Sequence, residues 1–316
     1  MIAFSEGWGL GNSQQANVAF SSDIHRGLRL DAGYVWVKGT HLPRSRDYNP
    51  PDSAGAAAFL AAGNTQAALL GLNFFRPVEQ VSETMVFENS ASSTYHGLRL
   101  ALRGSFGSRL TLNSSYTFSK AIDDAEEIFP HTRAQDMRNL RAERGLALYD
   151  QRHRFVWAMV YDFGQRWQKG TTAAAILNDW SAAPILELGS GRPVNVLLGF
   201  DNNLDQEPGS DRPDVVPAGT AGAVATRYGV FAVPPLGVPG NLGRNAFVGP
   251  GFASLGLRLQ KKVAVTSRLT SHFIVEGFNI FNRRNIRAVN PNYQRAAEPL
   301  AAFDARQIQF GLRLLF

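Results

Sequence analysis

Apolar and polar residues alternate along much of this chain with a period of two. In the segment HRFVWAMVYDF (153–163), one set of alternate positions holds Phe155, Trp157, Met159, Tyr161 and Phe163. A period of two places successive side chains on opposite faces of a β-strand. The same alternation predicts nine strands, near residues 15–24, 27–38, 93–106, 109–119, 152–163, 171–188, 252–264, 267–281 and 306–316.

The connections between these predicted strands alternate in length. Those after the first, third, fifth and seventh strands are short, at His25-Arg26, Gly107-Ser108, residues 164–170 and Val265-Thr266. The others are long and rich in Gly, Pro, Asp, Asn and Arg, and the longest covers about residues 189–251. Compact soluble domains rarely contain several long loops, whereas transmembrane barrels have short turns at one end and long loops at the other. The connections therefore favour a membrane barrel.

The two faces of the predicted strands support the same interpretation. One face holds rows of aromatic and aliphatic residues, and the other is small, polar and arginine-bearing, with Arg99, Arg103 and Arg258. An arginine facing lipid at mid-depth costs about 2–4 kcal/mol, so we expect these arginines to face a wet lumen. Amphipathic strands can cross lipid only when their backbone groups are paired in a closed barrel. The predicted fold class is therefore all-β, an antiparallel transmembrane β-barrel segment with a meander topology.

Nine strands are too few for a wide barrel, and bacterial single-chain barrels have even strand numbers. We therefore expect an incomplete barrel, an open arc or a forced narrow one, in which the strand near 15–24 is an unpaired edge. Helices are expected only in the connections, and the Ala-rich residues 54–72 are the best candidate. Because exposed strand edges promote aggregation, the chain expressed alone is predicted to be insoluble.

The last predicted strand, RQIQFGLRLLF (306–316), is amphipathic up to its final residue. Its parity predicts that Phe310, Leu312, Leu314 and Phe316 face lipid and that Gln309, Gly311 and Arg313 face the lumen, with Leu315 misplaced on the wet face near the rim. The pattern of a polar residue, a glycine, a hydrophobic residue and a final aromatic resembles the terminal signal read by the outer-membrane barrel-assembly machinery. The residues in this pattern are Gln309, Gly311, Leu314 and Phe316.

Composition excludes several other classes of protein. The 316 residues include no cysteine, so disulfides and thiolate metal sites are not available. The formal charge is +6, from 27 arginines and five lysines against 26 acidic residues, but no basic run is longer than the pairs Lys261-Lys262 and Arg283-Arg284. This dispersed charge argues against a nucleic-acid partner. Since no run of about 18 apolar residues occurs, no membrane-spanning helix is predicted.

Motifs for metal or phosphate chemistry are weak in this chain. Residues 201–205, DNNLD, resemble the start of a calcium loop, but Gln206 replaces the required glycine and Arg212 occupies the glutamate position. The glycine-rich residues 240–244 have no lysine and no following helix. The histidines show no metal spacing, and lumen-facing or rim positions are expected for His96, His153 and His272. We predict no metal and no cofactor.

Catalytic chemistry is not predicted either. Asp123-Asp124 and Glu126-Glu127 could form carboxylate pairs for acid–base work, but no histidine or nucleophile accompanies them, and an exposed acidic loop is expected. Tryptophans could instead serve as membrane anchors, because aromatic rings are favoured at membrane interfaces. The candidates for such girdles are Trp36, Trp157, Trp167 and Trp180.

Several segments resemble the barrel of Oar-like TonB-dependent receptors. They are GYVWVKGTHLPRSRDYN (33–49), STYHGLRLALRGSF (93–106), LTLNSSYTFSKAIDD (110–124), DQRHRFVWAMVYDFG (150–164), SGRPV (190–194), DRPDVV (211–216), GNLGRNAFVGPGF (240–252) and EGFNIFNRRN (276–285). The resemblance implies outer-membrane localisation and energised uptake of an unknown ligand through a barrel of about 22 strands. It also implies an N-terminal plug and a short box that binds the TonB coupling complex.

No plug, coupling box or signal peptide is recognisable before the first predicted strand. We therefore expect residues 1–316 to be a single barrel domain, the C-terminal part of such a receptor, in contact with outer-membrane lipid. The TonB complex would be reached only through the missing N-terminal parts. Two alternatives remain: a small porin-like channel, which would need another strand, and a soluble secreted β-domain for adhesion or carbohydrate binding. The inner arginines could attract an anionic ligand, or they could simply be solvated and contact the plug.

Overall fold

The computed structural model describes residues 1–25, 27–63, 72–79, 81–125 and 133–316. Two short α-helices are present there, α1 (Ser53–Ala61) and α2 (Thr172–Leu177), with 3-10 turns at Leu72–Phe75 and Leu140–Glu143. The strands are β1 (Ile2–Phe4), β2 (Asn12–His25), β3 (Leu28–Asp47), β4 (Met85–Phe106), β5 (Leu110–Asp123), β6 (Gly145–Leu146), β7 (His153–Asp162), β8 (Trp180–Gly189), β9 (Pro193–Val194), β10 (Asp214–Val215), β11 (Val224–Thr226), β12 (Gly229–Ala232), β13 (Phe247–Val248), β14 (Phe252–Ala264), β15 (Thr270–Phe278), β16 (Ile286–Val289), β17 (Pro299–Ala302) and β18 (Gln307–Leu315). No helix in the described part of the chain is long and apolar enough to cross a membrane.

Nine long strands form one antiparallel meander, which we call the wall. Their order is β2-β3-β4-β5-β7-β8-β14-β15-β18, so every long strand pairs with the next long strand along the chain. This confirms the predicted fold class and all nine predicted strands. β2 and β18 are the two edges of the wall, and no pairing joins them among the described residues. Because nine is odd and each pair is antiparallel, the two edge strands run in the same direction.

One predicted strand begins later than expected. The sixth was predicted over residues 171–188, but Thr172–Leu177 form α2 and β8 begins only at Trp180. Thr171 caps the helix, since its Oγ1 accepts a hydrogen bond from the Ala174 N–H over 3.1 Å. The alanines that follow have the highest helix propensity. The predicted short connection at 164–170 is therefore wrong, and it extends over residues 163–179.

Both helices lie in connections, as predicted. The Ala-rich stretch 54–72 contributes α1, which covers Ser53–Ala61, and the first residue of a 3-10 turn. Residues 64–71 of that stretch lie outside the described residues. Strand β4 is longer than predicted, because it starts at Met85 rather than near residue 93. Like β3, it extends beyond the half of the wall that has the short connections.

The wall has two distinct faces, because paired residues in adjacent strands share a face. The aromatic face contains register pairs such as Leu98 with Phe118, Tyr116 with Phe155 and Trp157 with Leu186. The polar face contains pairs such as Arg99 with Thr117 and Arg258 with Glu276. Large apolar side chains on the aromatic face are widely exposed, and Phe310 is 80% exposed.

The connections at the other end of the wall are folded. Residues 133–152, 190–251 and 279–306 form what we call the loop layer, which contains the short strands β6, β9–β13, β16 and β17. Its hydrophobic core is a cluster of buried side chains with Tyr228 and Phe247 packed against it. The buried members are Val196, Leu198, Phe231, Leu242, Tyr293 and Ala296. The long connections are therefore compact, although the sequence suggested loops without structure.

Candidate functional site

The four arginines predicted to face the lumen lie on the polar face. Arg99 and Arg103 are in β4, Arg258 is in β14 and Arg313 is in β18, and the continuous register assigns all four to this face. The long strands position these arginines by parity alone, because alternate residues of a strand lie on the same face of the sheet. The polar face therefore carries arginines across the wall, from β4 near one edge to β18 at the other.

Carboxylates and amides on the polar face partly compensate these charges. Arg258 Nη1 lies 3.4 Å from Glu276 Oε1, and Gln309 Nε2 donates a hydrogen bond to the same carboxylate. At the opposite edge, Arg29 pairs in register with Arg103, and Arg29 Nε contacts Asp31 over 3.2 Å. These side chains are half-buried or exposed, so they remain hydrated. A hydrated, mixed-charge surface can line a passage for polar solutes.

The four residues of the predicted assembly signal divide between the two faces of β18. Gln309 and Gly311 are on the polar face opposite Glu276 and Ile274, whereas Leu314 is on the aromatic face opposite Ser271. Phe316 follows the last paired residue, Leu315, and is fully exposed. Leu315 pairs with Thr270 on the polar face, as its parity requires. The signal reading itself stays a prediction.

Buried ion pairs connect the loop layer to the wall. Arg212 makes a two-pronged contact with Glu143, with Nη–Oε distances of 2.9 and 2.7 Å, and its Nε donates to Leu242 O over 2.8 Å. Arg244 contacts both Glu143 and Asp123, at the end of β5. Charge-assisted, bidentate contacts of this kind fix orientation as well as contributing energy. We call the cluster of Asp123, Glu143, Arg212 and Arg244 the ionic frame. Sequence reasoning missed this frame, because Arg212 and Glu143 are 69 residues apart.

A cavity of about 170 Å³ lies within this frame. Arg44 and Arg133 line it together with Arg212 and Arg244, and the carboxylates in its lining are Asp124 and Glu143. Arg44 contacts Asp124 over 2.5 Å, and Arg133 contacts Glu83 and Glu207. Since each of these arginines has a carboxylate partner, the cavity is a balanced ionic junction rather than an uncompensated anion site.

The acidic pairs weighed as acid–base groups belong to the same frame. Asp123 and Asp124 were expected in an exposed acidic loop, and that expectation is wrong for both. Their side chains are 15% and 19% exposed and form ion pairs with Arg244 and Arg44. Glu126 and Glu127 lie outside the described residues.

The loop that resembles a calcium site is closed by its own backbone. Asp201 accepts hydrogen bonds from the N–H groups of Asp205 and Gln206 over 3.1 and 2.9 Å, and Asp211 accepts from the Asn202 N–H over 2.7 Å. Burial raises the pKa of Asp205 to about 8 and that of Asp211 to about 6. In the described part of the chain, no group of three His, Asp or Glu side chains is arranged to hold a metal.

Histidines and tryptophans of the wall occupy its rims as well as its middle. His96 and His153 lie on the aromatic face near the loop layer, where their Nδ1 atoms are 2.7 and 2.8 Å from the Tyr34 and Tyr116 hydroxyls. The positions of these two are therefore at the rim, whereas His272 pairs in register with Arg313 on the polar face.

The tryptophans weighed as girdle members do not share one level. Trp36 pairs in register with His96 near the loop layer, and Trp180 lies at the opposite end of the wall, at the first residue of β8. Trp157 is at mid-strand in β7, and Trp167 is in the 163–179 connection. Of the four, Trp180 alone is therefore at a strand end, since Trp36 lies within β3, and the alternation alone could not tell it from Trp157.

Comparison with known proteins identifies a family and a fold. The model of a family described as outer membrane beta barrel domain matches residues 4–309. The fold is similar to that of the outer membrane transporter YddB from Escherichia coli, with a TM-score of 0.53 and 8% identity, over 96% of this chain and 32% of that chain.

Two other solved proteins are similar more distantly. The FrpB iron transporter from Neisseria meningitidis has a TM-score of 0.47 and 13% identity, over 100% of this chain and 33% of that chain. The siderophore receptor PiuA from Acinetobacter baumannii has a TM-score of 0.49 and 8% identity, over 96% and 28%. The chain thus spans about a third of the length of these proteins. No curated protein matches it in sequence.

Proposed function

Because the chain belongs to the family of outer membrane beta barrel domains, we propose that it forms part of the wall of a TonB-dependent receptor that takes up a ligand across the outer membrane. The observation that carries this proposal is the separation of the wall into an aromatic and a polar face. The aromatic face contacts lipid, and the polar face lines the lumen through which the ligand passes. The chain has a transport role and no catalytic one.

The open edges support an arc of a larger barrel over a small closed porin. β2 and β18 run in the same direction, so pairing them directly would require a parallel junction in a wall whose nine long strands are otherwise antiparallel. An all-antiparallel barrel needs an odd number of additional strands between these edges, which restores the even total typical of bacterial barrels. Further strands would also shield the exposed backbone groups of both edges from the membrane interior.

The polar face supplies the chemistry that a passage of this kind needs. The charge of an arginine on this face is balanced where a carboxylate lies beside it, as at Arg258 with Glu276 and Arg29 with Asp31. The charge is not balanced where no carboxylate is in register, as at Arg99 opposite Gly33 and Thr117. Such a surface attracts anionic solutes without holding them tightly. An anion-attracting wall is therefore our assignment for Arg99, Arg103 and Arg313, whereas the charge of Arg258 is balanced by Glu276.

The ability of the chain alone to form a closed barrel tests this proposal against the porin alternative. The chain is produced alone, refolded in detergent and examined by gel mobility with and without heating. We expect insoluble or polydisperse material, because two wall edges remain unpaired. A monodisperse monomer whose mobility changes on heating would mean that nine strands close by themselves, which would overturn the arc and support the small channel.

A further inference from the structure

We propose that the connection between β7 and β8, residues 163–179, is an interfacial foot that docks on anionic phospholipid headgroups at the short-connection end of the wall. This inference rests on the proposed function in one respect, the assignment of the aromatic face to lipid.

The foot folds over the aromatic face of the wall. Arg166 Nη2 donates to the Tyr161 hydroxyl over 2.7 Å, and Trp180 Nε1 donates to Ile176 O over 2.7 Å. Tyr161 and Trp180 both lie on the aromatic face, by their register with Leu110 and Lys261. The contacts therefore fix the foot at the end of the face that the proposed function assigns to lipid.

Lys261 marks the same side of the wall. This residue occupies an aromatic-face position yet is only 9% exposed, because its ammonium donates to the backbone carbonyl of Asn178 in the foot. The Nζ also lies 6.0 Å from the centre of the Trp180 ring. A lysine facing hydrocarbon would be costly, and the foot provides a polar partner where the charge would otherwise meet the membrane boundary.

Hydrogen bonds from a single buried side chain hold the foot in one conformation. Asn178 Oδ1 accepts from the N–H groups of Arg166 and Trp167 over 2.8 and 3.0 Å, and its Nδ2 donates to Trp167 O over 2.9 Å. Asn178 is 3% exposed. The foot is therefore a built element, in contrast to the shorter connections, of at most five residues, that join the other strands at this end.

The exposed surface of the foot combines apolar and cationic side chains. Trp167, Ile176 and Leu177 are 42%, 60% and 44% exposed, and Arg166 and Lys169 are exposed beside them. The neighbouring carboxylates are engaged within the foot, since Asp162 accepts from the Gly164 N–H and Asp179 accepts from Gln165 Nε2. Apolar anchors flanked by basic residues are the pattern of segments that lie in a membrane interface and attract anionic lipid.

Spin labelling tests where the foot lies. The chain contains no cysteine, so each single-cysteine variant, made within the full-length receptor, carries one label in this segment, in outer membranes isolated from the producing cells. The variants are Ile176→Cys and Trp167→Cys in the foot, Leu312→Cys on the aromatic face and Phe281→Cys, 77% exposed in the loop layer, as the aqueous reference. We expect labels in the foot to collide several-fold more with oxygen than the Phe281→Cys label does, and several-fold less with a water-soluble nickel chelate.

The Leu312→Cys label separates two kinds of failure. If this label is in lipid while both foot labels behave like the Phe281→Cys label, the foot is aqueous or faces a protein, and this inference is wrong although the proposed wall stands. If the Leu312→Cys label is itself aqueous, the lipid assignment of the aromatic face fails, and the proposed function falls with the inference.

Charge substitution tests the anionic headgroups. The double variant Arg166→Gln with Lys169→Gln is expected to increase collision of the Ile176→Cys label with the nickel chelate several-fold, and 1 M salt is expected to do the same to the unsubstituted foot, because salt screens such contacts. The matched control is Arg283→Gln with Arg284→Gln, an exposed pair at the other end of the wall, which should change nothing. An unchanged label in both the double variant and high salt would exclude the anionic headgroups.

Discussion

The wall and the loop layer bury their side chains in opposite ways. In the wall, large apolar side chains such as Phe20 and Phe310 are 62% and 80% exposed, and the strands are held together by backbone pairing. In the loop layer, Phe231 and Val196 are completely buried in a small core. The difference shows that one chain is matched to two solvents. The wall needs lipid to cover its apolar side chains, whereas the loop layer buries its apolar side chains in its own core.

Charged residues differ between the two regions in the same sense. Arginines of the polar face remain hydrated, as at Arg258, whose side chain is 43% exposed beside Glu276. Arg212 in the loop layer is 4% exposed and has a bidentate carboxylate partner. Exposed pairs contribute little to stability, whereas removing one member of a buried pair is strongly destabilising. Substitutions should therefore act very differently in the two regions.

The largest expected effect is the loss of the buried ion pair. Arg212→Ala leaves Glu143 buried without its bidentate partner and should destabilise the loop layer by about 3–5 kcal/mol. Hydrogen exchange should accelerate at amides of the loop layer and stay unchanged at amides of β5. The control is Arg295→Ala, which removes an exposed contact with Glu298 and should be nearly neutral. Equal effects of both changes would mean that the ionic frame carries no special stability.

A large effect is also expected from a cavity in the small core. Leu198 is 1% exposed, and Leu198→Ala should destabilise the loop layer by about 2–5 kcal/mol. Leu312→Ala removes the same atoms from the aromatic face, where the side chain is 60% exposed, and should leave unfolding in detergent almost unchanged. A similar loss from the two substitutions, measured by denaturant unfolding of the full-length receptor in detergent, would contradict the division into two solvents.

A smaller effect is expected from pH in the loop layer. Burial holds the pKa of Asp205 near 8, with Asp201 and Asp211 also raising it, so the folded state favours the protonated carboxyl. The stability from this group is complete below the unfolded pKa of about 3.9 and is lost as pH rises toward 8. Asp205→Asn should therefore stabilise the loop layer at pH 8 by about 1–3 kcal/mol and do little at pH 4. Limited proteolysis at the two pH values measures this difference. A variant equally stabilised at both pH values would show that the charge is not responsible.

The smallest effect on stability, although not on assembly, is expected at the end of the wall. Deleting Phe316 from the full-length receptor should sharply lower its amount in the outer membrane if this aromatic is an assembly signal. Phe310→Ala, which removes a similar apolar area from β18, should lower it much less. Immunoblots of membrane fractions compare the two, and equal losses would leave Phe316 as one more lipid-facing residue.

The sequence predicts the wall well and the loop layer poorly, for physical reasons. Because lipid and water lie on opposite sides of each strand, the alternation survives in every long strand and predicts all nine, including the parity of Arg99 and Arg313. The segment at 172–177 is different, since so short a run does not separate the two periods, and the Thr171 cap and the alanines favour the helix. Periodicity is silent about the ionic frame, because its partners, such as Arg244 and Asp123, are 121 residues apart.

The face assignment is the central claim, and two adjacent serines of β5 test it most directly. Ser114 is on the aromatic face opposite Leu102 and Trp157, and Ser115 is on the polar face opposite Ala101 and Val156. Ser114→Cys and Ser115→Cys are nearly isosteric changes at the same depth, in a chain without other cysteines. In outer membranes that contain the full-length receptor with either change, a water-soluble maleimide should label Ser115→Cys readily and Ser114→Cys hardly at all. Equal labelling, or the reverse preference, would contradict a wall with its aromatic face in lipid and its polar face in water.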